Sequence, residues 1–471
     1  RPVGRGEVAV DPYRFALDCL ERIILPARGI RRLAGRSLSH IRGVRRAGSG
    51  KIRDDHGLRR GGDWIRSANI YGMLIRVSAA WDHNGDGRLE EPGAWTETGT
   101  FLKAIWLLPL LARMGIDVIY LLPINKIGRA FRKGEIGCPY SAKNFFEFDP
   151  ALHDKLLDRG DAAQPEARGV SGGIDSHRSF EIEAEFGAFV EAAHAMDLRV
   201  MIDLAPRTAS RDSDLILEHP DWFYWIDAGQ ARGYGPPYLA GCPRGIPKRS
   251  ELAGILHRDI IREHLAKFRF APNGTDPRGW KRFAARCRAQ ESPDILRGVL
   301  RDFGVVTPPG FSDVLNDPQP PWSDVTFLRL FLDHPAASRP HLDDPARQPP
   351  YVFTDTIKAS KFPGRQPNER LWKFLSDILP FYQRFGVDGA RVDMGHALPP
   401  GLQRMIIEKP KRRDPDFSFM AEELDYQGGP AAKRDGYNAI IGSSWCMMPR
   451  HAEGEFHRFV YDVLPAAVVA P

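Results

Sequence analysis

Six short apolar runs, separated by amphipathic stretches, constrain the fold of this chain most strongly. The runs are continuous rather than alternating, which is typical of strands buried on both faces of a parallel sheet. They are NIYGMLIRV (69–77), DVIYLLP (117–123), LRVMIDLA (198–205), VDGARVDM (387–394), FSFMAEEL (417–424) and YNAIIGSSW (437–445). Between them, apolar residues recur at helical spacing over residues 98–114, 180–196 and 371–385. This alternation predicts a parallel α/β architecture.

One connection, over residues 206–366, is too long to be a simple crossover and is rich in proline and glycine. A structureless loop of that length is improbable in a compact domain, so we expect an inserted domain there. An insertion that follows a strand lies at the C-terminal end of the sheet, where a (β/α)8 TIM barrel builds its active site. The predicted parts are a basic N-terminal segment (1–68), the first part of a catalytic barrel (69–205), an inserted domain (206–366) and the second, incomplete part of the barrel (367–471).

Charge and composition narrow the classes of partner. The net charge of +6 is concentrated in RRLAGRSLSHIRGVRRAGSGKIR (31–53). We interpret this stretch as a solvated segment rather than a polyanion-binding one, because it has no aromatic residues for base stacking. No nucleic acid partner is therefore expected. No apolar run approaches the roughly 18 residues of a membrane helix, so no membrane partner is expected. The five cysteines form no CxxC pair, which fits a reducing, cytoplasmic compartment.

Two of the strand runs end in carboxylates. Arg391 and Asp393 are two residues apart on a strand and therefore face the same way. An adjacent guanidinium lowers the pKa of a carboxyl, which suits an ionised nucleophile, although an isolated Arg–Asp pair is more often structural. Glu422 and Glu423 end the next run, and one of them should face the barrel mouth. Two carboxylates about 5 Å apart are the arrangement of retaining glycoside chemistry.

The ordered set of motifs resembles glycoside hydrolase family 13, the α-amylase family. The resemblance rests on GIDVIYLLPI followed by CPYSAKNFFEFDP, then on MIDLAP, GVDGARVD and FMAEE. Three further stretches, PRTASRDSDLILEHPDWFYWI (206–226), TPPGFSDVLNDPQPPWSDVTFLRLFLDHP (307–335) and DTIKASKFPG (355–364), are similar to the maltosyltransferases of the Thermotoga type. The resemblance runs from about residue 65 to the C-terminal end. It implies a (β/α)8 barrel with a domain inserted after the third strand.

The resemblance also implies catalytic roles. Asp393 would be the nucleophile and Glu422 the acid/base, chosen over Glu423 because the acid of the family directly follows a small residue, here Ala421. Arg391 would hold Asp393 ionised.

The remaining implied site residues contact substrate or support the site. Asp203 would bridge to Arg391, Tyr140 would stack on the sugar before the scissile bond, and His396 would line the same mouth. Most α-amylases carry Asn–His where this chain has Arg207 and Thr208, a departure that it shares with the maltosyltransferase type. Arg207 is therefore counted among the substrate-binding residues.

The implied activity is that of a retaining α-1,4-glucan glycosyltransferase, which moves maltosyl or maltodextrin units between glucan chains. Two alternatives stay open. One is an α-amylase-type hydrolase, and the other is a truncated, non-catalytic glucan-binding paralogue. The second alternative arises because no seventh-strand carboxylate is found before the chain stops at VYDVLPAAVVAP. We therefore expect the barrel to be truncated after about the sixth to seventh strand. We also expect the isolated chain to be weakly active or inactive.

The stretch DHNGDGRLEE (82–91) has the spacing of a calcium loop. An EF-hand is excluded, because a strand precedes the loop and position twelve is Gly93 rather than a glutamate. The resemblance instead implies a structural Ca²⁺ in the first strand-to-helix loop, against the alternative of a metal-free acidic turn. The implied ligands are the side chains of Asp82, Asn84, Asp86 and Glu90 and the carbonyl of Arg88.

Overall fold

The structure is a computed structural model of the chain. It describes residues 61–82, 86–89, 97–155, 174–245, 248, 250–251, 254–255, 258–312, 314–333, 364, 366–423 and 429–441.

The strands and helices are numbered in chain order. The strands are β1 Ile70–Met73, β2 Val118–Leu121, β3 Asn125–Ile127, β4 Ala142–Phe148, β5 Arg199–Leu204, β6 Thr208–Ser210, β7 Trp225–Asp227, β8 Phe268–Arg269, β9 Val305–Val306, β10 Val325–Phe327, β11 Gly389–Val392, β12 Ser418–Glu422 and β13 Ala439–Ile441. The α-helices are α1 Ile75–Ser78, α2 Phe101–Arg113, α3 Ile174–Ala195, α4 Leu215–Glu218, α5 Asp259–Ala266, α6 Pro272–Thr275, α7 Pro277–Arg288, α8 Ile295–Phe303, α9 Glu369–Tyr382, α10 Pro400–Arg413 and α11 Gly429–Asp435.

Six strands form one parallel sheet in the order β1-β2-β5-β11-β12-β13. Each strand lies beside the strand that precedes it in the barrel sequence, with helices in the connections. A doubly wound sheet reverses this order at a switch point, whereas a (β/α)8 barrel keeps it. The described strands are therefore consecutive strands of a (β/α)8 barrel, and the fold class predicted from the sequence is confirmed.

Each predicted strand run contains a strand, although the elements are shorter than the runs. The first run ends as a strand at Met73, because the chain turns into α1 at Ile75. The helix predicted over 371–385 is α9, followed by a short 3₁₀ helix that ends at Gly386. Gly386 adopts a left-handed φ of 95°, which a glycine takes without steric cost.

Alternate residues of the barrel strands pack on opposite faces. The outward-facing set joins the large core beneath the helices and includes Ile119, Ile202, Ala390, Val392 and Ala421. The inward-facing set forms a separate interior cluster that includes Val118, Met201 and Met420, contributed by β2, β5 and β12. Both faces are buried, which explains why the strand runs are continuously apolar.

The interior cluster is completed from the N-terminal side of the sheet. A 3₁₀ helix, Asp63–Ser67, precedes β1, and its Trp64 and Ile65 belong to the cluster. The Trp64 indole donates to the Asp416 carbonyl at 2.8 Å, and the Asn438 amide donates to Asp63 at 2.9 Å. A segment next to β1 thus reaches the starts of β12 and β13, so the sheet curls.

The described residues between β5 and α9 include two small sheets. Strand β6 pairs antiparallel with β10, and β7 pairs with β8 and β9. A cluster that contains Tyr224, Phe311 and Phe327 also includes Met394 and Ala397, so this region packs against the C-terminal end of β11. The aromatic run from Trp222 to Trp225 is buried, which makes it core rather than a sugar-stacking surface. The predicted domain boundaries stay a prediction.

Across the described residues, no helix combines the length and apolar character needed to span a bilayer.

Candidate active site

The site is the polar layer directly above the interior cluster of the barrel. The inward-facing residue two positions after Val118 is Tyr120. The same step leads from Met201 to Asp203 on β5 and from Met420 to Glu422 on β12. Side chains alternate along a strand, so the next residue to face the barrel interior lies two positions further on. Inward-facing residues that follow the apolar layer on several strands therefore lie together at the C-terminal mouth of the barrel. The residues implied by the resemblance therefore meet through strand geometry.

Arg391 is the centre of this layer. It is paired in register with Asp203 on the neighbouring strand. Its Nη1 donates to the two oxygens of Asp203 at 3.0 and 2.9 Å and to Asp393 Oδ1 at 2.6 Å. Its Nη2 lies 3.0 Å from Oε1 of Glu422. One guanidinium thus contacts three carboxylates, and the pair between residues 391 and 393 is part of a larger network rather than an isolated ion pair.

Two tyrosine hydroxyls complete the surroundings of Asp203. Tyr140 donates to Oδ2 of Asp203 at 2.7 Å, and Tyr120 donates a short hydrogen bond to the same oxygen. Tyr140 was implied by the resemblance, whereas Tyr120 was not. The sequence did contain a signal for Tyr120. In the apolar run DVIYLLP it is the only residue with a side-chain hydroxyl. A buried hydroxyl needs a partner, and the neighbouring strand supplies it.

Burial dominates the electrostatics of the nucleophile candidate. Desolvation, together with the charge of Asp203, raises the pKa of Asp393 to about 7, although Arg391 acts in the opposite direction. The expectation that Arg391 keeps Asp393 ionised therefore captures only the weaker effect. Three carboxylates share one cation, so the site retains a proton more readily than a simple pair would. Burial likewise raises the pKa of Asp203.

Glu422 is oriented by the backbone as well as by Arg391. Its Oε2 accepts from the amide of Met394 at 2.6 Å. Met394 has a left-handed φ of 50°, uncommon for a residue with a side chain, and this turn aims its N–H at the carboxylate. Glu423 is largely buried, and its backbone N–H pairs with Ile441 at 2.8 Å. The structure thus brings Glu422 into contact with Arg391, and its role as the acid/base stays a prediction.

His396 and Arg207 lie at the same end of the barrel in different settings. Nδ1 of His396 lies 3.3 Å from the carbonyl oxygen of Glu422. Arg207 is fully buried, donates to the Leu328 carbonyl at 2.9 Å and lies over the ring of Phe327 at 4.4 Å. These contacts join the end of β5 to the β10 region. Substrate contact by Arg207 stays a prediction.

The implied calcium ligands are described in part. Asn84 and Glu90 lie outside the described residues. Asp82 Oδ2 accepts from the amide of Gly87, and Asp86 Oδ1 accepts from that of Arg88, both at 2.8 Å. These bonds tie the Asp82 and Asp86 carboxylates to the backbone at Gly87 and Arg88. In the parts of the chain that the structure covers, no group of three His, Cys, Asp or Glu side chains forms a metal site. The calcium ion stays a prediction.

Comparisons with known proteins concern the family that the chain resembles. No family model matches the chain. It is 31% identical over 241 residues to the alpha-1,4-glucan:maltose-1-phosphate maltosyltransferase of Mycolicibacterium smegmatis, covering 49% of this chain and 31% of that relative. It is 38% identical over 141 residues to the enzyme of the same name from Chlorobaculum tepidum, covering 30% of this chain and 18% of the relative. The matches therefore span less than a third of these curated relatives.

A solved alpha-amylase from Lactobacillus plantarum aligns with 86% of this chain and 57% of its own, at 17% identity and a TM-score of 0.38. At that TM-score the likeness carries no argument of its own. The motif order, the strand order and the sequence relatives point the same way. The chain is therefore similar to enzymes of the α-amylase family, glycoside hydrolase family 13.

Proposed function

We propose that this protein is a retaining α-1,4-glucan glycosyltransferase that moves maltosyl or maltodextrin units between glucan chains. The observation that carries the proposal is the contact of one guanidinium, Arg391, with Asp203, Asp393 and Glu422 at the barrel mouth. The curated relatives are named as maltosyltransferases that use α-1,4-glucan and maltose 1-phosphate. The donor in that name supports a maltosyl unit as the group transferred.

The proposed mechanism is a double displacement. In the first step Asp393 attacks the anomeric carbon, while Glu422 gives its proton to the leaving oxygen and the glycosidic bond breaks. In the second step the acceptor hydroxyl loses its proton to Glu422 and attacks the same carbon, which releases the Asp393 carboxylate. Asp393 must be ionised to attack, and its pKa of about 7 sets the pH at which that form prevails.

Arg391 and Asp203 act as positioning groups in this mechanism. The guanidinium holds both reacting carboxylates from one fixed point, so neither has to be ordered when substrate arrives. The two tyrosine hydroxyls fix the Asp203 carboxylate that holds Arg391 in place. This preorganisation serves transferase and hydrolase alike, since the two differ only in whether a glucan hydroxyl or water takes the glycosyl unit.

The test is a product analysis with the full-length protein. Maltohexaose as acceptor is incubated with maltose 1-phosphate or with maltotetraose as donor, and the products are separated by chromatography. Acceptors extended in steps of two glucose units, with little free sugar, are expected. Dominant release of glucose or maltose would instead favour the amylase-type hydrolase. Binding of glucan without any turnover would favour the non-catalytic paralogue, and Asp393→Asn supplies the inactive control.

The cytoplasmic location stays a prediction.

A further inference from the structure

An exposed aromatic ring stands on the loop that leads to Tyr140. Phe131 is 53% exposed and lies in the excursion between β3 and β4. The base of this loop is closed by the amide of Gly128, which donates to the Ser141 carbonyl at 2.8 Å. Phe131 has a φ of 56°, in the left-handed region that bulky residues rarely adopt. The backbone therefore pays a conformational cost to present an apolar ring to water.

Buried charged groups hold this ring in place. The guanidinium of Arg211 lies 4.1 Å from the ring centroid of Phe131, and Arg211 itself is only 6% exposed. Arg211 is anchored by hydrogen bonds to the carbonyls of Thr307 at 3.0 Å and Ser323 at 3.3 Å. A cation over one ring face fixes the orientation of the ring while much of its surface stays accessible.

The backbone on the N-terminal side of the ring is fixed as well. The amides of Arg129 and Ala130 donate to Oδ2 of Asp212 at 3.1 and 3.4 Å. Such rigid mounting is unusual for an exposed loop residue, because loop tips ordinarily have few tertiary anchors. Strain held in place by surrounding structure is a feature of ligand-binding segments.

The loop that carries the ring also reaches the reaction centre through other residues. Ala130 packs against the cluster that contains Met394, the residue after Asp393. At the other end of the same loop, Tyr140 contacts Asp203. The loop thus runs from the exposed ring to the catalytic network.

We propose that Phe131 is a stacking platform for a glucosyl residue of a bound α-1,4-glucan, outside the reaction centre. This inference rests on the proposed function, since it takes the ligand to be the glucan. The apolar C–H face of a glucosyl ring covers an aromatic ring in the way that other apolar groups do, which removes the exposed surface from water. A rigid ring binds without first having to be ordered. The ring would add affinity for chains long enough to reach it.

The test measures binding by calorimetry in the Asp393→Asn background, so that glucan is not turned over. Dissociation constants are compared for maltoheptaose and maltotriose. Phe131→Ala is expected to weaken maltoheptaose binding about three- to tenfold, and Phe131→Trp to retain it. Phe270→Ala is the matched control, because Phe270 is also 53% exposed and lies elsewhere in the chain. It is expected to bind maltoheptaose as the parent does.

Phe131→Leu separates ring stacking from a structural role, because leucine still covers Arg211 but offers no aromatic face. Maltoheptaose affinity of this variant equal to that of the parent would overturn the proposal, as would an equal loss in Phe270→Ala. A loss in the alanine and leucine variants with no transfer activity in the wild-type protein would leave the subsite standing and refute the proposed function. Transfer activity in the wild-type protein, with no change in maltoheptaose affinity in the Phe131 variants, would support the proposed function and refute the subsite.

Discussion

At the scale of single residues, the nucleophile candidate is governed by burial against one shared cation. The pKa of Asp393 is raised to about 7, so the carboxyl is protonated below that pH and ionised above it. We expect kcat/KM, which reports the free enzyme, to fall about tenfold per pH unit below pH 7. The measurement is a profile from pH 5 to 8 at constant ionic strength, with circular dichroism to show that the fold persists. A flat profile over this range would contradict the assignment.

Tyr120 offers a second residue-scale prediction. Its hydroxyl donates to Asp203, so Tyr120→Phe removes a bond to the ionised carboxylate and makes Asp203 easier to protonate. A protonated Asp203 no longer raises the pKa of Asp393 by its charge, so the acid limb of kcat/KM should move to lower pH. Looser positioning of Arg391 should also reduce kcat/KM by about tenfold, or about 1.4 kcal/mol.

The matched control for this variant is Tyr71→Phe, on the neighbouring strand β1. This substitution also removes a tyrosine hydroxyl, but not one that bonds to Asp203. The pH profile of the variant is therefore expected to stay that of the wild type. If both variants lower activity without shifting the acid limb, the role of Tyr120 is packing alone.

At the scale of elements, Asp388 joins three parts of the barrel just before β11. Its Oδ2 accepts from the Val200 amide at 2.7 Å and from His194 Nε2 at 2.8 Å, in a fully buried setting. Asp388→Ala leaves both donors without an acceptor, so the free energy of unfolding should fall by about 3 kcal/mol. Urea unfolding measures this. Asp377→Ala, which breaks the half-exposed pair with Lys409, should cost less than about 1 kcal/mol.

The acidic loop after α1 is an element whose stability should depend on calcium. Asp82 and Asp86 carry like charges on one turn, and a bound Ca²⁺ would offset their repulsion. Because an ion that binds only the folded state stabilises it, a chelator should lower Tm, and added Ca²⁺ should restore it. Asp82→Ala should remove this response. An unchanged Tm in the wild-type protein after chelation would favour the metal-free turn.

The sequence predicts elements better than it predicts contacts between them. The six strands were found because burial on both faces leaves a continuous apolar run, as in β5 and β11. The candidate site was predicted because Arg391, Asp393 and Glu422 lie near the ends of such runs, and Asp203 was added through the family resemblance. The β3–β4 hairpin was missed, since its short β3 carries no periodic signal. Phe131 was missed because its partner Arg211 lies in another segment, and no local pattern encodes that pairing.

At the scale of the whole molecule, the barrel interior depends on a residue that precedes all strands of the described residues. Trp64 is buried among side chains from β2, β5 and β12, and its indole reaches the Asp416 carbonyl across 352 positions of sequence. Such a contact exists only if the sheet curls, since an open sheet would separate β1 from β12. The interior apolar layer supports the polar layer of the site above it, so stability and site geometry share this residue.

Trp64→Ala should therefore lower the free energy of unfolding by about 3–5 kcal/mol, because it leaves a cavity inside the barrel. Urea unfolding followed by far-ultraviolet circular dichroism measures the change. Tyr238→Ala removes a similarly large ring that is 68% exposed, and it should change stability by less than about 0.5 kcal/mol. A small effect of Trp64→Ala, comparable to that of the control, would mean that the strands form an open sheet in solution. The interior apolar layer would then not close beneath the site as described.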